Sequence, residues 1–222
     1  MGPSILDVLK DYWPIFLEGA LGTLKYAAIA VGLGSILGVF IAILYLSKAK
    51  PLSIFAKIYT TVIRGTPLLV QMYIAYIFLP MAIPFFAKLT KAQCVMLSLT
   101  LNSSAYVAEI IRGGIMSVDV GQTEAARSLG MSAGHCMFRI VLPQAIKAIL
   151  PSLGNEYISM IKETSLAGTF MLYDLMYTKL LLANKFLMWQ PLFIIAGIYL
   201  IMTMVLTKLV SLLEKRFAAS GK

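Results

Sequence analysis

Seven polar side chains crowd one short stretch of an otherwise apolar segment. Asn155, Glu156, Ser159, Lys162, Glu163, Thr164 and Ser165 lie within residues 140–170. Spacings of three, four and seven put Asn155, Ser159, Lys162 and Glu163 on one face of a helix. A charge at mid-bilayer costs several kcal/mol, so that face turns to a partner helix, a watery cavity or the cytoplasmic end. A second set, Asn102, Tyr106 and Glu109, recurs at four and three residues, with Arg112 three further on. Glu109 and Arg112 read as a structural ion pair or as part of a polar path. Arg64-Gly65-Thr66-Pro67 interrupts another apolar run, which makes Arg64 either a snorkelling anchor or a functional charge. Of these groups, the set on residues 155–165 is the most conspicuous polar cluster in the chain. Covalent catalysis would need a nucleophile with its base, or a metal cluster. The single histidine, His135, and the two cysteines, Cys94 and Cys136, have no ligand-like spacing.

A different kind of stretch runs from Gly121 to Pro143, GQTEAARSLGMSAGHCMFRIVLP. It is polar and partly helical. Thr123 reads as an N-cap, with Glu124 in the first turn, where an acid is favoured. Ala125 and Ala126 are strong helix formers that leave a partner unobstructed. Gly130 stops the helix. Ser132 caps a second one, which Pro143 kinks. The product is a short helix between two longer elements, shaped to dock into something else.

The elements that hold these residues are membrane spans. The 222 residues are 59% hydrophobic and only 13% charged, against roughly a quarter charged in soluble domains. The class is all-α integral membrane, as one domain over 1–222. Residues 4–18 read as an interfacial amphipathic helix, with Tyr12 and Trp13 suited to the membrane surface. No basic n-region precedes an apolar core, so a cleaved signal peptide is not expected. Predominantly apolar runs of ~20 residues suffice to cross a bilayer core. They place five transmembrane helices at about 21–46, 58–79, 92–111, 140–170 and 186–206. Gly34 and Gly38 give the first a small-residue face. Residues 118–138 form the cytoplasmic region that holds the short helix.

Net charge is +9, but no long basic run points to nucleic acid. Lys48, Lys50, Lys57, Arg112, Arg127, Arg139, Lys208, Lys215, Arg216 and Lys222 fall on one side of the five spans. Lys10, Lys88, Lys91, Lys179 and Lys185 fall on the other. The richer side is cytoplasmic, so the N-terminus is outside and the C-terminus inside.

The block from Glu124 through Ala125, Ala126 and Gly130 to Ile140, Leu142 and Pro143 resembles the EAA motif of ABC importer permeases. Arg64 to Leu68 with Gln71, Leu101 to Tyr106 with Glu109 and Arg112, Gly121-Gln122, and Lys162 to Leu166 are similar to the polar amino-acid uptake branch. That family often has Asp where this chain has Glu163. The resemblance implies a type I ABC importer permease fold, multi-pass in a bacterial inner membrane. It implies alternating access, with Gly121, Glu124, Ala125, Ala126 and Gly130 as the coupling helix on cytoplasmic ABC ATPase subunits. ATP and Mg would sit on those partners, with no cofactor or metal bound here and no catalytic site of its own. Further partners implied are a second permease copy or homologue and a separate extracytoplasmic amino-acid-binding protein. A substrate pocket is implied midway in the membrane, with Thr66, Gln71, Asn102, Tyr106, Lys162, Glu163 and Thr164 as candidates. Lys162 would attract a substrate carboxylate and Glu163 an ammonium. The competing expectation is that both pair with Glu109 or Arg64 and only hold helices together. A secondary transporter carries similar buried charges, but a coupling block has no purpose in it.

Overall fold

The computed structural model describes residues 4–182 and 189–219, and the described residues are helical with short connections. Helix α1 spans Ile5–Tyr45, capped by Ser4, whose hydroxyl accepts from the Asp7 N–H. The expected surface helix 4–18 and first span 21–46 are one element. Tyr12 alone leaves helical geometry (φ −117°, ψ 16°), two residues before Pro14. Proline removes a helical donor and crowds the preceding turn, which bends a helix without ending it.

Helix α2 (Lys50–Gly65) and α3 (Leu68–Ala82) meet at 104°. Residues 58–79, expected as one span, therefore straddle a corner. Pro67 is the cause. It has no N–H and disfavours helical geometry at the residue before it. Thr66 is extended at φ −119°, ψ 146°. Within α3, residues Ile74–Phe78 form a π turn. This lets the helix pass Pro80 and reach Ala82, where residues 58–79 anticipated a stop.

Helix α4 runs Lys91–Met116, capped by Thr90 with Gln93 reaching back. Helix α5 is the short Val120–Ser128. A turn at Ala133–Cys136 and a π segment at Met137–Val141 lead into α6, Leu142–Glu163. The π geometry accommodates Pro143: Leu142 N–H bonds Met137 O instead of the nearer carbonyl. A 3₁₀ stretch, Thr164–Phe170, follows. Helices α7 (Thr178–Leu182) and α8 (Trp189–Ala219) complete the chain. Residues 186–188 of the expected last span lie outside the described residues.

Four helical stretches are long and apolar enough to cross a membrane, and the bent pair α2–α3 makes up to five. Helices α1 and α4 pack as a tight seam. A methyl group added at Gly34 would sit 2.8 Å from Ser103 Cβ, and one at Gly38 would sit 2.7 Å from Val107 Cβ. These glycines let the backbones close. Ala27, Ala30, Leu68, Met72, Val95, Leu99, Met160 and Ile161 form a core between α1, α3, α4 and α6. Ile36, Phe40 and Ile43 stay exposed on the outer face of α1, as a lipid-facing surface requires.

Candidate functional site

The corner between α2 and α3 is held by one side chain. The Gln71 amide donates to Ile63 O (2.7 Å), Thr66 O (3.1 Å) and Thr66 Oγ1 (2.9 Å). Its Oε1 takes a long contact from Asn102 Nδ2 (3.5 Å) on α4. Ser98 Oγ donates to Gln71 O (3.2 Å). Pro67 has no N–H and Thr66 is extended, so these carbonyls lack their helical donors. Gln71 satisfies them and ties the corner to α4.

A cleft of about 440 Å³ opens beside this corner. Thr66, Pro67, Leu68 and Leu69 form one wall, and Asn102 and Tyr106 of α4 a second. Glu156, Ser159, Met160 and Glu163 of α6, with Leu166, form the third. Of the seven candidates, Thr66, Asn102, Tyr106 and Glu163 line the cleft. Gln71 stands behind Thr66 and positions it. Thr164 is fully buried, with its hydroxyl donating to Ile161 O (2.8 Å). Lys162 is exposed and is not among the lining residues.

The expected polar face of α6 is brought to the cleft only in part. Ser159 and Glu163 line it together with Glu156, while Asn155 and Lys162 are not among the lining residues. Glu156 is the site residue that sequence reasoning left unassigned. It lies seven residues before Glu163, two turns along the same face, and this spacing was the available signal. Glu156 is buried and accepts from Ser103 Oγ (3.0 Å) across to α4. Among the described residues, no lysine or arginine lines the cleft.

At the rim, Glu109 and Arg112 form the pair read from their spacing. Arg112 Nε and Nη2 both donate to Glu109 Oε2, at 3.0 and 2.8 Å. Arg64 Nη1 approaches the same oxygen at 3.7 Å. The Arg64 guanidinium lies over the Tyr106 ring, 5.2 Å from its centroid. Among the described residues, the ion pairs of Glu109 are with Arg64 and Arg112, not with Lys162.

The short helix α5 starts four residues earlier than expected. Asp119, not Thr123, is the N-cap, accepting from Gly121 N (2.8 Å). Glu124 therefore lies past the first turn. The stop at Gly130 is as read: φ is +84°, a left-handed conformation that glycine adopts without strain. Met131 N–H bonds Ala126 O and Gly130 N–H bonds Arg127 O, the paired bonds of a Schellman cap. Ser132 caps the next turn through His135 N. Ala126 packs inward beside Cys136 and Val141. Gly121, Glu124, Ala125 and Leu129 face out. One small residue anchors α5, and the rest of its surface is open.

Residues 34–219 match the family model described as "Binding-protein-dependent transport system inner membrane component". The Rickettsia bellii permease GlnP, named for glutamine transport, is 40% identical over 92% of this chain and 93% of its own. The Bacillus subtilis arginine transport system permease protein ArtQ is 36% identical over 93% and 94%. Among solved structures, the crystal structure of an amino acid ABC transporter with histidines superposes at TM-score 0.91. It is 43% identical and covers 97% of this chain and all of that one. A MetNI methionine ABC transporter shares the fold at TM-score 0.74 and 14% identity. An apolar helical bundle with a charged cleft and an open short helix is thus matched along nearly its whole length, and the chain belongs to the binding-protein-dependent transport system inner membrane component family.

Proposed function

We propose that this chain is the membrane-spanning permease subunit of an ATP-driven importer of polar amino acids, and that solute passes through the cleft between the α2–α3 corner, α4 and α6. The carrying observation is the pair Glu156 and Glu163 on one wall, with no lining cation among the described residues. Carboxylates in so apolar a fold need a positive partner. Every amino acid supplies an ammonium, and a basic one supplies a second cation. Thr66, Asn102, Tyr106 and Ser159 supply the neutral hydrogen bonds that fix orientation. Gln71 and Thr164 support the lining from behind, and Lys162 acts from outside it, toward a second permease copy.

The chain hydrolyses no ATP itself. Helix α5 docks on a cytoplasmic ATPase subunit through Glu124, Ala125 and their exposed neighbours, and nucleotide with Mg stays on that partner. Two permeases pair across the membrane, and an extracytoplasmic binding protein delivers the amino acid. The basic-residue asymmetry supports a cytoplasmic α5 and C-terminus with the N-terminus outside, in a bacterial inner membrane. Movement of α5 with the ATPase then reorients α4 and α6, which flank it in sequence, and exposes the cleft to alternate sides.

The test is equilibrium binding of L-arginine and L-glutamine to the reconstituted permease–ATPase complex. Glu156→Gln keeps the shape and the Ser103 contact but removes one charge. Affinity for L-arginine falls about tenfold or more relative to L-glutamine, as loss of a charged partner implies. Affinity unchanged for both amino acids refutes the acidic wall as the cation site, whereas an equal fall for both assigns Glu156 to the ammonium they share.

A further inference from the structure

The acidic wall accounts for the positive groups of an amino acid and leaves its carboxylate without a partner. One cation near the cleft has donors to spare. Arg64 is the last charged residue before the α2–α3 corner, two residues from Thr66 in the lining. Its guanidinium rests on Tyr106, which also lines the cleft, so the charge borders the same space as Glu163. Its side chain is 42% exposed.

Its ion pair is loose for a countable reason. Glu109 Oε2 already accepts two N–H groups from Arg112, and Arg64 approaches that oxygen at 3.7 Å, beyond hydrogen-bond reach. Two guanidinium groups thus share one carboxylate, leaving a net positive charge. No other ion pair joins Arg64 among the described residues. The aromatic face attracts the cation at 5.2 Å from the ring centroid, a contact that leaves the N–H donors for another partner.

We infer that Arg64 is the carboxylate anchor of the cleft: its free fork binds the substrate carboxylate while Glu156 and Glu163 take the cationic groups. The inference rests on reading the cleft as the solute site. It gives the site two negative charges and one positive, the inverse of a basic amino acid. It replaces Lys162, which lies outside the lining, in the role assigned from sequence.

The experiment uses the permease–ATPase complex in nanodiscs and the tightest-binding member of a panel of L-amino acids. That amino acid is compared with its α-carboxamide, which differs only in lacking the carboxylate charge. Wild-type complex favours the acid over the amide. In Arg64→Gln, affinity for the acid falls about 10- to 100-fold while that for the amide is unchanged, so the preference disappears. Arg64→Lys keeps a point charge without the planar fork and retains part of the preference. Equal weakening of acid and amide in Arg64→Gln, or a wild-type preference retained in it, overturns the anchor. If Glu156→Gln still weakens binding in that case, the cleft reading stands and only the anchor falls. If neither variant alters binding of any amino acid, the cleft is not the site and both readings fall.

Discussion

Asp174 gives the most quantitative test of how the connection between α6 and α8 is held. It lies in the connection 171–177, after the 3₁₀ stretch and outside the spanning segments, and it is fully buried. Its Oδ1 accepts from Tyr177 N (2.9 Å) and its Oδ2 takes a 3.4 Å contact from Tyr199 OH of α8. The next residue ties the connection to α1, with Leu175 N donating to Thr23 Oγ1 (3.0 Å). Burial pushes the Asp174 carboxyl up from 3.8 to about 6, against the pull of the Tyr177 N–H. Below pH ~4 the folded and unfolded chains both hold this proton, and the group contributes nothing to the slope. Between ~4 and ~6 only the folded chain holds it, so stability falls as pH rises. Above ~6 the folded chain carries a buried charge at a cost of about 3 kcal/mol, taking about 1.4 kcal/mol per pH unit. Asp174→Asn keeps the shape and the Tyr177 bond but cannot ionise. Its stability relative to wild type therefore rises by about 3 kcal/mol from about pH 3 to about pH 8. At about 2–4 °C per kcal/mol, scanning fluorimetry of the purified complex reads this as a gap that widens by roughly 6–12 °C. Any offset from altered hydrogen bonding is independent of pH, so the slope is the test. Parallel pH profiles for the two proteins would refute the burial argument.

Two further perturbations address the frame that carries the cleft. Gly38→Val forces α1 from α4, because its Cβ would lie 2.7 Å from Val107 and 2.9 Å from Ser104 O. The cost is about 1–3 kcal/mol, read as a lower unfolding temperature of the complex and weaker amino-acid binding, since α4 carries Asn102 and Tyr106. Tyr59→Phe removes contacts from α2 to Ser104 Oγ (2.6 Å) and Leu101 O (3.0 Å). About 1 kcal/mol of stability is lost, with a small drop in affinity as α2 loosens against α4.

The apolar runs and their breaks carried most of the fold in the sequence. Membrane solvent forces backbone groups into helices, so hydropathy alone locates them. The corner at Thr66–Pro67 was visible as a break, but not as a 104° turn, because hydropathy is continuous across it. The turn angle depends on Gln71, whose three hydrogen bonds exist only once the corner has formed. Gly130 was legible because a left-handed stop selects glycine from local physics alone. The cap at Asp119 was not, since Asp119 and Thr123 are both good caps and the choice rests on how α4 ends. On α6 the polar residues were all visible, but which of them face inward depends on rotation against α4. There the Ser103–Glu156 contact fixes the register and turns Lys162 out. Arg64 was legible as an unusual charge. Its spare donors follow from Glu109 having committed itself to Arg112, a fact of three-dimensional geometry.

The most direct measurement of the central claim is amino-acid uptake into proteoliposomes that hold the permease pair with its ATPase, supplied with the cognate binding protein. The account predicts accumulation of a polar amino acid that requires ATP inside, with hydrolysis stimulated by the loaded binding protein. Uptake that proceeds with no ATPase present, driven by an ion gradient alone, would contradict it.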